Sequence, residues 1–89
     1  MGKVETFRLE SIECWFHSQE HRPPHFHAKR RGQWHVRVFF LEPKSRMVQR
    51  VRGLRGRMTA AEENKLQELA ESHRVDLLRE WETKVICHD

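Results

Sequence analysis

An 89-residue chain with 37% hydrophobic and 34% charged residues has room for one modest core, and its apolar residues are clustered enough to exclude a wholly disordered chain. No apolar run approaches the roughly 20 residues that span a bilayer. Met1–Thr6 lacks the apolar stretch of a signal peptide. The expectation is a cytoplasmic protein with one domain over 1–89 and loose tails at 1–5 and 85–89.

In chain order, Phe7 and Leu9 alternate with polar neighbours, then Ile12, Cys14 and Phe16 alternate on the other parity. Period two predicts strands, and the phase shift at Glu10–Ser11 predicts a bulge or break. Residues 17–24 are polar and end in Pro23–Pro24, which cannot donate ladder hydrogen bonds. Phe26 and Ala28, then Trp34, Val36 and Val38, alternate as the arms of a hairpin. A three-residue loop Arg30-Arg31-Gly32 pairs Ala28 with Trp34 and Phe26 with Val36, so that all four share one face. In that register His27 lies opposite His35, and His25 opposite Arg37. Glu42–Ser45 reads as a turn, and Met47–Arg52 as a weaker strand. Thr59-Ala60-Ala61-Glu62 is a capping box. It opens a helix whose Leu66, Leu69, Ala70, His73, Leu77, Leu78 and Trp81 recur at three-four spacing to about Thr83 or Lys84.

The expected fold is α+β: a three- or four-stranded antiparallel meander with one long C-terminal helix on one face. The other face is left open, so a homodimer through that face or a strand edge is one expectation. Cys14 and Cys87 have no CxxC partner and read as reduced thiols, one in the core and one in the tail.

The most specific stretch is Glu20-His21-Arg22-Pro23-Pro24-His25-Phe26-His27. His27 and His35 are candidate catalytic groups, because imidazole titrates near neutrality and can serve as acid or base on a phosphodiester. His21, His25, His27 and His35 are candidate ligands for a divalent metal such as zinc. Histidines on an exposed strand are also simply a polar face. His73 lies on the helix stripe, on the opposite side of the sheet from His25 and His27. Pro23, Pro24, Phe26, His73 and Trp81 read as structural.

The net charge of +4 is unevenly spread. Residues 29–57 hold ten basic residues against Glu42 alone, whereas 58–89 hold eight acidic against four basic. Arg30, Arg31, Arg37, Arg46, Arg50, Arg52, Arg55 and Arg57 are therefore candidate contacts for an anion or nucleic acid. A solvated basic half answering an acidic half is the alternative. No helix-turn-helix or other reading element accompanies them.

The run from Glu20 to Ala28, followed by His73-Arg74-x-Asp76-Leu77-Leu78-x-x-Trp81, resembles a small bacterial family, domain of unknown function 4160. Its members carry an acidic-His-x-PPHFH signature, a short meander and an H-R-x-x-L-L-x-x-W helix. The resemblance covers roughly residues 7–84. It implies an α+β fold and a prokaryotic cytoplasmic setting, with a loose association with toxin–antitoxin genes and no established activity. Arg46–Arg57 departs from the family pattern in being longer and strongly basic.

Three functions follow as expectations. The first is a non-enzymatic binding module for nucleic acid or an acidic partner protein, in a toxin–antitoxin-like setting. The second is a histidine-based phosphodiesterase or ribonuclease, with or without zinc. The third gives the proline–histidine motif a structural role alone.

Overall fold

The computed structural model describes residues 2–17, 19–20, 22–51 and 56–87. The class is α+β, as expected, with more strands and a divided helix. Strands β1 (Gly2–Lys3), β2 (Glu13–Phe16), β4 (Phe26–Arg30), β5 (Trp34–Val38) and β6 (Val48–Arg50) form a five-stranded antiparallel sheet in the order β1-β2-β4-β5-β6. A separate parallel pair joins β3 (Gln19–Glu20) to β7 (Ile86–Cys87). Where loose tails were expected, Gly2–Lys3 is thus paired with β2 and Ile86–Cys87 with β3, and Val4 and Val85 are buried.

The alternating residues of the central hairpin bury as their pattern requires. Phe26, Ala28, Trp34, Val36 and Val38 are all 0–1% exposed. They pack with Phe16, Phe40 and Met47 and with the helical residues Leu66, Ala70, Leu77 and Trp81 in one core. The hairpin register differs from expectation. Ala28 pairs with Val36 and Arg30 with Trp34. The three-residue loop is Arg31-Gly32-Gln33, one position later than expected. Gly32 takes a φ of 76° in its middle, and the Gln33 N–H donates to the Arg30 carbonyl at 2.9 Å. This moves the register by two residues. Side chains alternate with period two, so the faces are preserved and only the opposed pairs change.

The phase break at Glu10–Ser11 is a tight turn. Ser11 has a φ of 64°, and Leu9 and Ile12 form an isolated bridge across it. Phe7 therefore lies outside any strand; its ring packs edge-on to Phe26 instead. After β5, a single helical turn α1 (Lys44–Met47) takes the place of the expected simple turn. It delivers Met47 to the core, and the strand that follows is shorter than Met47–Arg52.

The capping box forms as read. Glu62 N–H donates to the Thr59 hydroxyl at 3.1 Å, and Thr59 N–H to the Glu62 carboxylate at 2.9 Å. The one long helix of the sequence reading is two, α2 (Ala60–Ser72) and α3 (Arg74–Lys84), parted at His73 with φ −114° and ψ 22°. The His73 N–H still reaches the Leu69 carbonyl, and Leu77 N–H reaches the His73 carbonyl. The apolar stripe therefore runs through the break without changing face. At the break Arg74 donates to the carbonyls of Phe40 at 2.8 Å and Glu42 at 2.9 Å, tying the chain after β5 to α3.

The two signature stretches meet in the fold. Arg22 lies over the Trp81 ring at 5.4 Å, and Phe7 bridges them a second time, touching Phe26 at 5.7 Å and His73 at 5.9 Å. No described helix is long and apolar enough to cross a membrane.

Candidate ligand-binding face

Side chains on the face turned away from α2 and α3 form a continuous row. The pairings Lys3↔Trp15, Trp15↔His27, His27↔Arg37 and Arg37↔Gln49 place five directly opposed residues across all five strands. A second row, Glu13↔Lys29↔His35, runs beside it. Strands about 4.8 Å apart make the five-residue row roughly 19 Å long.

The middle of the face is a cluster of rings. Trp15 stacks on His27 with centroids 5.4 Å apart and planes at 18°, and lies 5.2 Å from His35. His17 meets His27 edge-on at 4.2 Å, and His25 lies 5.3 Å from His27 and 4.8 Å from Phe39. Lys29 Nζ approaches the Trp15 ring at 6.0 Å. The cluster explains a difference from the expected exposed polar face: His25 and His27 are only 5% and 4% exposed, each covered by neighbouring rings. Arg37 and Gln49 remain exposed, and Trp15 and His35 half-buried.

Two contacts fix ring chemistry. His25 Nδ1 lies 2.9 Å from the Pro23 carbonyl. A carbonyl only accepts, so Nδ1 carries the proton, and in the neutral ring Nε2 carries the lone pair. His27 Nδ1 lies 3.1 Å from His35 Nε2. One nitrogen donates and the other accepts, so at least one ring is neutral while the contact holds. Burial, with Lys29, Arg37 and His17 nearby, lowers the pKa of His35 and so favours its neutral ring.

His27 and His35 thus come together, although as diagonal neighbours rather than as the opposed pair expected. His27 instead faces Arg37 directly, the place expected for His25. His25 joins them through His27. His73 lies on the core side against Phe7, apart from the cluster. His21, Arg52 and Arg55 lie outside the described residues. Among those described, no group of three or more His, Cys, Asp or Glu is arranged to hold a metal ion. Of the candidate arginines, Arg37 sits in the row. Arg30 pairs with Glu62 at 2.5 Å on α2. Arg50 pairs with Val36, on the core side of β6, and donates to the Gly56 carbonyl at 3.1 Å. Arg57 borders a small cleft with Arg50, Met58 and Glu63, while Arg31 and Arg46 are exposed elsewhere.

Trp15, His17 and Lys3 belong to the face and were not singled out in the sequence, whereas Lys29 was read only as part of the basic hairpin tip. Trp15 had a readable signal, since it occupies the solvent parity of a strand whose Cys14 and Phe16 face the core. Lys3 had none, because its place depends on the pairing of β1.

An antiparallel sheet with helices on one face and an aromatic–imidazole row on the other is the architecture of a small α+β protein with an open sheet surface. The model of the domain of unknown function DUF4160 matches residues 12–82, and the chain belongs to that family. Neither the curated proteins nor the solved structures provide a match.

Proposed function

We propose that the protein is a binding module for single-stranded nucleic acid, and that the Trp15–His27 sheet face is its contact surface. The observation that carries this reading is the five-strand row Lys3–Trp15–His27–Arg37–Gln49. It sets the half-buried Trp15 ring, backed by the buried His27 ring on which it stacks, between cations on an open sheet. Single strands are held in this way, with bases on aromatic faces and phosphates on Lys and Arg, and stacking tolerates every base. The face holds Lys3, Lys29 and Arg37 against Glu13. Duplex binding by insertion needs a helix or ribbon that fits a groove, and a flat row offers neither.

The test is the affinity of a fluorescent oligo(U) 10-mer for the protein and for Trp15→Ala. Loss of one stacked base costs about 1–3 kcal/mol, so the variant binds roughly 5- to 150-fold more weakly. Equal affinity of the two proteins refutes the face as the contact surface.

A second reading rests on the His27–His35 contact, which brings together two imidazoles that can serve as acid and base. On that reading the protein cleaves RNA, and His27→Ala abolishes cleavage while the circular dichroism spectrum is kept. RNA that survives prolonged incubation intact leaves binding alone.

A further inference from the structure

A groove of about 880 Å³ runs between the N-terminal segment, the start of β2 and the hairpin tip. Its floor is apolar. Phe7, Leu9, Ile12 and Cys14 line it, and all four are half-buried residues packed on the outside of the core. Burial pushes the Cys14 thiol up to about 12, so it serves the floor as a small apolar group rather than a nucleophile.

The rim is basic. Lys3, Arg8, Arg30 and Arg31 border the groove against Glu5 and Glu13. One of the two rim acids is already engaged, since Glu5 lies 3.5 Å from Lys84 Nζ. Arg30 is likewise held by Glu62, which leaves Lys3, Arg8 and Arg31 exposed at the rim. An apolar floor with cations at its rim matches a ligand that is apolar along one side and anionic along the other. The groove is open to solvent, which suits a chain laid across it rather than an enclosed small molecule.

We infer that this groove is a second binding site, meeting the Trp15 face only at Lys3 and Glu13, that takes an acidic peptide segment carrying apolar side chains at alternate positions. Alternation is the spacing an extended chain needs to turn its apolar residues to the floor and its carboxylates to the rim.

The experiment uses the full chain and a fluorescein-labelled ten-residue peptide alternating Glu and Leu, followed by anisotropy. The expected result is saturable binding that weakens about tenfold or more in the double variant Arg8→Glu/Arg31→Glu, with an unchanged circular dichroism spectrum. A Lys–Leu peptide and an all-Glu peptide both fail to bind, and excess oligo(U) does not displace the Glu–Leu peptide. Three results overturn the proposal: no binding up to about 1 mM peptide, equal binding by the charge-reversed variant, or equal binding of the all-Glu peptide. Displacement by oligo(U) places the peptide on the Trp15 face and also refutes a separate groove site. Failure of oligo(U) to bind at all leaves the groove standing and removes only the nucleic-acid reading.

Discussion

At the scale of single residues, Glu80 shows how much of this fold depends on one carboxylate. It accepts hydrogen bonds from the backbone N–H of Glu5 at 2.9 Å and of Thr6 at 2.6 Å, from the Thr6 hydroxyl, and from Lys84 Nζ at 3.0 Å. It thereby fastens the N-terminal segment to α3. Burial favours the neutral acid, but these donors outweigh it and hold the pKa below the ordinary 4.5. A carboxylate with a depressed folded pKa stabilises the protein while ionised. Its contribution is full above about 4.5 and is lost as pH falls through the folded value. Urea titrations between pH 3 and 7 should therefore show stability falling below about pH 4.5, with that fall reduced in Glu80→Gln. Glu80→Ala should lose about 2–3 kcal/mol at pH 7, because the backbone donors lose a charged acceptor. The Glu80 contact spans 75 residues of sequence, and nothing local marks it. Phe26, by contrast, was placed in the core by strand alternation and a three-residue hairpin loop, and it is fully buried.

At the scale of elements, the hairpin tip and the segment that packs against it make different demands on glycine. Gly32 needs its positive φ of 76°, yet a Cβ there meets nothing within 4 Å. Gly56 passes so close to the hairpin that a Cβ would lie 2.0 Å from the Gln33 carbonyl oxygen. Gly32→Ala should cost about 1–2 kcal/mol, the price of a left-handed alanine. Gly56→Ala should cost more, because backbone has to move, and denaturant midpoints of the two variants give the order. Thr59→Ala should lower stability by about 1 kcal/mol through loss of the cap on α2. The cap was legible because its four residues are consecutive and its chemistry is local. The hairpin faces were legible because period two survives a register shift; the opposed pairs were not, because they depend on where Gly32 sits in its loop. The break at His73 was hidden by a stripe that stays in phase through it, and β1 and β7 were hidden by their length of two residues each.

At the scale of the whole molecule, the uneven charge of the sequence is partly answered within the fold. Arg30 meets Glu62, and Lys44 lies 3.6 Å from Glu71 on α2. Among the described residues, the basic middle is therefore not one patch. Arg37 faces away from the helices with Lys29, while Arg50 lies on the other side of the sheet. Three cations on the proposed face set the salt dependence of binding. The slope of log affinity against log salt should be about −2 for single strands, and should fall below about 1 in magnitude in Lys29→Ala/Arg37→Ala. A much steeper slope would mean that the remaining arginines also take part. Candidate site residues in the sequence were found where one strand carried a conspicuous motif, as with His25 and His27. Lys3 was missed because the face is completed there by a strand of only two residues.

The most direct test of the account is nuclear magnetic resonance mapping of oligo(U) on the isotope-labelled protein. The account predicts that the Trp15 indole, the rings of His27 and His35 and the Arg37 amide shift on titration, while Leu66, Ala70 and Leu77 on the far side of the sheet stay in place. Shifts confined to the arginines outside the row, or none at all, would contradict it.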